Sequence, residues 1–221
     1  MSKTSLILHG HFYQPPRENP KTGIIPLQPS AAPWLDWNER IYSSCYCANL
    51  SSRYLDHNGR IISLTNNYAY ISFNFGATLL SWLDTHHPEV VDGLREADRM
   101  SIERLGHGNA MAQGFNHTIL PLDKKENAEL QIAWGVEDFI HHYKRDPEGM
   151  WLPECGVNET VIDLLVENGI KFIVLSPWQC QFIENEQGNL VDLESSPAPY
   201  REPYILTGKK GKEITAFFYE P

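Results

Sequence analysis

Apolar residues recur at near-helical spacing from 126 to 143, where Leu130, Trp134, Val136, Phe139 and Ile140 predict an amphipathic helix that Asp146-Pro147 stops. Pro88 opens a second helical run to about Leu105, and residues 76–84 read as a third. A shorter helix over 161–167 starts at Asn158-Glu159-Thr160 and ends at Asn168-Gly169. Asp36 or Asn38 can cap one more, running to about residue 54. Short apolar runs predict strands at 5–12, 60–65, 149–153, 170–175 and 214–219, the first and fourth buried. Residues 106–117 hold a strand end and a loop, and 181–211 form a polar excursion with Pro and Gly. Residues 13–37 have no period but are rich in Pro, Trp and Tyr, which suits an ordered, packed loop. Strand alternates with helix along the chain, so the expected class is α/β with parallel strands in one domain over 1–221. The sequence stops directly after a strand, which suggests a domain truncated at the C-terminus.

Composition narrows the class. The 221 residues are 42% hydrophobic, enough for a core. A net charge of −10 and the lack of a basic cluster argue against nucleic acid or an anionic membrane as partner. Met1-Ser2-Lys3-Thr4 leads into a run too short for a signal-peptide core, and no apolar run is long enough to span a bilayer. A cytoplasmic protein is the expectation. Cys45, Cys47, Cys155 and Cys180 fit no zinc spacing and read as free thiols. There is no Gly-rich phosphate loop and no other cofactor signature, so the expected cofactor and metal complement is none. Oligomeric state is left open.

Chemistry concentrates at two strand ends. Glu154 closes the run Gly149-Met150-Trp151-Leu152-Pro153, an unusual place for a carboxylate unless it faces a cleft. Near the N-terminus, Leu6-Ile7-Leu8 runs into His9-Gly10-His11-Phe12-Tyr13-Gln14. Residues two apart on a strand share a face, so both imidazoles can point to one mouth, there to bind a metal or a hydroxylated ligand. Asn66-Asn67-Tyr68 follows the strand 60–65, and His107, Asn109, Gln113 and His117 cluster within twelve positions. Such amides and imidazoles suit sugar hydroxyls. Trp34, Trp37, Tyr68, Trp151 and Trp178 are candidate rings for the apolar sugar face, although each Trp also suits core packing.

These segments resemble glycoside hydrolase family 57. His9-Gly10-His11-Phe12-Tyr13-Gln14-Pro15 is similar to its N-terminal H-x-H-Q-P signature with two residues inserted. Asn116-His117-Thr118-Ile119-Leu120-Pro121-Leu122 resembles its second region, and Gly149 through Glu154 resembles its third, W-x-P-E. The Pro-rich opening and the stretch 66–76 are similar to a branch in which this domain precedes an uncharacterised C-terminal region. The resemblance implies an incomplete (β/α)7 barrel and retaining action on α-glucans, as amylase, 4-α-glucanotransferase or branching enzyme, with no metal. It implies that Glu154 is the nucleophile, that His9, His11 and His117 line the sugar subsite, and that Trp151 flanks it. Gln14, Asn67, His107 and Trp178 join the candidate substrate contacts. The family's acid is an Asp after a later strand; here Glu220 follows the strand 214–219, and the alternative is a residue beyond Pro221. Two rivals remain: a metal-dependent polysaccharide deacetylase using His9 and His11, and a carbohydrate-binding domain that has lost its acid.

Overall fold

The computed structural model describes residues 5–185, 187–194 and 196–220, so the Met1–Thr4 opening lies outside the described residues. The chain divides into two compact units, Met1–Ala110 and Met111–Pro221.

In the first unit, β1 (His9–Phe12) begins later than its apolar run. Leu6, Ile7 and Leu8 are 81%, 75% and 60% exposed, which corrects the expected buried strand. Asp36 caps α1 (Trp37–Ile41) by accepting from the Glu39 N–H at 3.0 Å. A π turn at Tyr42–Tyr46 joins it to α2 (Cys47–Leu50). The helix stops there, short of residue 54, because β2 (Ser52–Leu55) and β3 (Ile61–Thr65) form an antiparallel hairpin. The Asp56 carboxylate accepts from the Asn58 and Arg60 N–H groups, each at 2.8 Å, and Gly59 takes φ 75°, closing the turn. The run at 60–65 therefore forms no part of a parallel sheet.

The parallel partner of β1 is β4 (Ser72–Phe75), a strand not among those expected from the sequence. His9 pairs with Ser72 and His11 with Asn74. Beneath this ladder Phe12 stacks on Phe75 at 4.6 Å, and Tyr46, Tyr68 and Phe73 meet these rings edge-on. The helices α3 (Ala77–His86) and α4 (Pro88–Leu105) follow as expected. Pro88 opens α4, and Gly106 ends it at φ 83°, a left-handed cap that favours glycine.

The second unit holds β5 (Ala112–Gln113), α5 (Lys125–Tyr143), β6 (Gly149–Trp151), α6 (Glu159–Glu167) and β7 (Phe172–Leu175). Asn158 caps α6 by accepting from the Val161 N–H at 2.9 Å. The polar excursion contains a small hairpin, β8 (Phe182–Glu184) with β9 (Leu190–Asp192), and then β10 (Tyr204–Thr207); β11 (Glu213–Phe218) ends the unit. The main sheet has the order β10-β11-β7-β6-β5. Every pairing from β11 to β5 is parallel, while β10 lies antiparallel on the outer edge. The architecture is thus mixed α/β with parallel strands, and no sheet closes on itself among the described residues.

Parallel strands need both faces covered. The covering side chains include Ile132 and Phe139 from α5 and Leu164 and Leu165 from α6, all buried together with Met150, Ile173 and Ala216 of the sheet. The approach of α5 to β5 is so close that a Cβ on Gly135 would overlap the Gln113 carbonyl oxygen. These contacts set the carboxyl ends of β5, β6, β7 and β11 side by side.

Candidate active site

Glu154 stands just past the carboxyl end of β6. Leu152, Pro153 and Cys155 around it are buried, while its own side chain is exposed. Its backbone is left-handed, φ 54° and ψ 22°, and Cys155 follows with φ 53°. For residues with a Cβ this conformation costs about 1–2 kcal/mol each, so the surroundings must hold it. The Cys155 N–H donates to the Leu152 carbonyl at 2.9 Å and the Gly156 N–H to Pro153 at 3.0 Å. The Gln179 side-chain N–H donates to the Cys155 carbonyl at 2.9 Å. Burial pushes the Cys155 thiol pKa up, so the neighbouring sulfur stays protonated at neutral pH.

His117 also has a left-handed backbone, φ 56°, past the carboxyl end of β5. Its loop is pinned from α5: the Asn116 N–H donates to the buried Gln131 amide oxygen at 2.7 Å, and the Phe115 N–H to the Gln131 carbonyl at 3.1 Å. Burial lowers the pKa of His117, and the charge of Glu154 opposes that shift. The structure therefore brings Glu154 and His117 close enough to interact electrostatically. Trp151, half-buried, precedes Glu154 on β6. Trp178, 60% exposed, lies in the turn Pro177–Gln179 after β7, whose Gln179 reaches the Cys155 carbonyl.

Glu220 follows β11, two strands from β6, and accepts a hydrogen bond from the Tyr200 hydroxyl at 3.4 Å. Two strand spacings are about 10 Å. A carboxyl pair on these two strands must lean together to reach the roughly 5.5 Å of a retaining glycosidase. A cleft of about 420 Å³ lined by Ile170, Lys171, Glu213 and Ile214 lies at the other, entering end of β7 and β11.

In the first unit, His9 and His11 do share one face of β1, as their spacing predicted. A single amide serves both. Asn74, fully buried, has its oxygen 3.0 Å from His9 Nε2 and its nitrogen 2.9 Å from His11 Nδ1. His9 Nδ1 lies 3.0 Å from the Ser72 hydroxyl. Burial lowers the His9 pKa, with the Asn74 hydrogen bond opposing it, so the ring is neutral at pH 7. Gln14, past the end of β1, donates to the Tyr46 hydroxyl at 3.3 Å and accepts from Arg17 at 2.6 Å. Among the described residues no group of three or more His, Cys, Asp or Glu is placed to hold a metal ion.

Two candidates sit elsewhere. Asn67 precedes β4 and donates to Asn49 of α2 at 3.0 Å. His107 is exposed in the turn that ends α4, before Ala110 bridges to Phe73. Both are on entering segments, whereas α/β proteins bind ligands at the carboxyl ends of their strands. Sequence reasoning passed over Asn74, Ser72, Gln131 and Gln179. Ser72 and Asn74 had a usable signal, because they alternate with Phe73 and Phe75 at strand period. Gln131 and Gln179 had none.

These features define an α/β protein with a carboxylate and an imidazole raised at the carboxyl ends of adjacent parallel strands. Residues 7–218 match the model of glycosyl hydrolase family 57, and the chain belongs to that family. Alpha-amylase 1 of Dictyoglomus thermophilum is 29% identical over 106 residues, 48% of this chain and 15% of that protein. The 4-alpha-glucanotransferase of Thermococcus litoralis is 26% identical over 108 residues, 49% of this chain and 16% of the relative. The crystal structure of a 4-alpha-glucanotransferase from the same organism has the same fold, with a TM-score of 0.64 at 20% identity over 99% of this chain and 28% of the other. A branching enzyme of the same family from Thermococcus kodakaraensis, solved with glucose, gives 0.58 at 15% identity over 96% and 46%. The matched region is thus a minor part of each relative's length.

Proposed function

We propose that this chain provides the nucleophile of a retaining enzyme acting on α-glucans, as glycoside hydrolase or glucanotransferase. The observation that carries the reading is Glu154, a carboxylate raised on a left-handed turn at the end of β6 with His117 near it. The family membership and the glucan-active relatives support the substrate class.

In the first step the Glu154 carboxylate attacks the anomeric carbon. The bond from that carbon to the departing oxygen breaks, and a carboxylic acid delivers a proton to the oxygen. In the second step the same acid, now a base, takes a proton from water or an acceptor hydroxyl. The new oxygen bonds to the anomeric carbon and Glu154 is released. Water gives hydrolysis, and a glucan hydroxyl gives transfer. We assign the acid to Glu220, which the β11 end supplies. His117 contacts a sugar hydroxyl beside Glu154, and Trp151 and Trp178 offer ring faces; within the first unit, His9, His11 and Gln14 are proposed by themselves as sugar contacts. The parallel strands are read as parts of an incomplete (β/α)7 barrel, and the protein as cytoplasmic.

The test is covalent trapping with a fluorinated maltosyl fluoride. Fluoride departs without a proton donor, so trapping reports Glu154 independently of Glu220. A maltosyl adduct on the peptide containing Glu154 supports the reading. Glucan binding with no adduct replaces it with a non-catalytic binding domain. Loss of natural turnover in Glu220→Gln with trapping retained assigns the acid, and unchanged turnover removes Glu220 from that role.

A further inference from the structure

The turn at Glu154 and Cys155 needs something to hold it. Two consecutive residues with a Cβ at positive φ are strained, and such strain persists only where neighbours over-determine it. The hydrogen bonds from Cys155 to Leu152 and from Gly156 to Pro153 are local to the turn. Among the described residues the Gln179 side chain reaches it from the end of β7, beside a bond from the Ser176 N–H to the Cys155 sulfur. Both ends of the Gln179 amide are engaged: its oxygen accepts from the Ser176 N–H at 3.1 Å, and its nitrogen donates to the Cys155 carbonyl at 2.9 Å. The Ser176 side chain in turn accepts from the Gln179 backbone N–H, a capping box that fixes the turn after β7. The donor is thus pre-oriented by the sheet's neighbouring strand and aimed at the carbonyl of Cys155, the residue directly after Glu154.

We infer that Gln179 is a positioning residue for Glu154: its side-chain amide clamps the Cys155 carbonyl and so keeps the left-handed turn that presents the carboxylate. The inference rests on Glu154 being the nucleophile. The clamp acts on direction and not on substrate affinity, since it touches no substrate. A hydrogen bond donated to a carbonyl is needed there, so an ionised carboxylate at the same position would repel that oxygen.

The experiment is the same trapping reaction in the full-length protein, on wild type, Gln179→Leu and Gln179→Glu, with a crystal structure of Gln179→Leu. Leucine is expected to slow trapping about tenfold, the loss of one oriented hydrogen bond, while the donor concentration for half-maximal rate stays within about twofold. In Gln179→Glu the introduced carboxyl, while neutral, still donates its O–H to Cys155. The variant is therefore expected to trap at near wild-type rate at low pH and to lose that rate as pH rises through the pKa of the introduced carboxyl, a limb that wild type lacks. A merely structural role would not give that limb. The Gln179→Leu crystal is expected to show Glu154 or Cys155 relaxed to negative φ. Wild-type trapping rates in Gln179→Leu, or no new pH limb in Gln179→Glu, overturn the inference and leave the nucleophile intact. No adduct in wild type instead removes the nucleophile. The crystal then decides the clamp by itself, because both residues at positive φ without Gln179 overturn it.

Discussion

In the unit Met1–Ala110 two imidazoles share one buried amide, and in the unit Met111–Pro221 the Glu154 carboxylate stands exposed on a left-handed turn. The two places are chemically opposite. His9 has both ring nitrogens engaged, by Ser72 and Asn74, and burial keeps it neutral. Glu154 projects from buried neighbours on a backbone conformation that costs energy. Satisfied polar groups in a low-dielectric setting define orientation and resist change. An exposed carboxylate held in one direction is open to a ligand, as the proposed nucleophile requires. The first region holds its shape through these bonds, and the second carries the residue proposed to react.

Four measurements put that contrast at risk. The largest effect falls on Glu154. Replacing it by Gln is expected to lower turnover by at least about 10³-fold with thermal stability unchanged or slightly raised, because the carboxylate makes no burial contribution. Turnover near wild type in this variant would falsify the reactive role.

Next comes the amide. Asn74→Leu leaves half-buried His9 and exposed His11 without their shared partner, and about 1–2 kcal/mol of stability is expected to go, read by denaturant unfolding. His9 should also titrate at lower pH than in wild type, because the Asn74 hydrogen bond supports its charged form. A stability loss below about 0.5 kcal/mol would mean that this pair is no structural anchor.

Packing under the reactive region gives a comparable figure. Gly135→Ala forces a methyl onto the Gln113 carbonyl, and about 1–3 kcal/mol is expected to be lost. Because α5 also pins the His117 loop through Gln131, trapping at Glu154 should slow in the same variant. Full activity despite the stability loss would separate the sheet's packing from the site.

The smallest effect is in pH. His9 and His117 both have pKa values lowered by burial, below the unfolded value of about 6.5. The unfolded chain then takes up protons more readily. Their contribution to stability is present above about pH 6.5 and is lost as pH falls through the folded pKa values. The midpoint of thermal unfolding should therefore drop between about pH 7 and pH 5. In Glu154→Gln, His117 should titrate lower still, since the opposing negative charge has gone. An unmoved His117 would mean that the two groups do not sense each other.

Local pattern settled much of this molecule. Pro88 and Gly106 bound α4, and Asn158 with Gly169 brackets α6, because caps and left-handed stops act over three or four residues. Glu154 was legible as a carboxylate out of place after an apolar run, and His9 with His11 as one face of a strand, because period two needs no tertiary information. Other features depended on what lies across space. Leu6, Ile7 and Leu8 look like a buried strand but have no ladder beyond the Leu8 carbonyl bond to Ser72 among the described residues. The run at 60–65 looks like a sheet strand, yet the Asp56–Gly59 turn folds it back on β2. Asn67 therefore follows a hairpin strand, not a strand of the parallel sheet. The Asn74 bridge to His9 and the Gln179 clamp on the turn of Glu154 join residues 65 and 24 positions apart. Composition and periodicity carry only local preferences, whereas partner and handedness come from packing between distant segments. The helices, their stops and the residue types at the site were thus written into the order of residues along the chain. Which strands pair, which side chains hold one another, and in which direction the carboxylate points were set by contacts that exist only once the chain has folded.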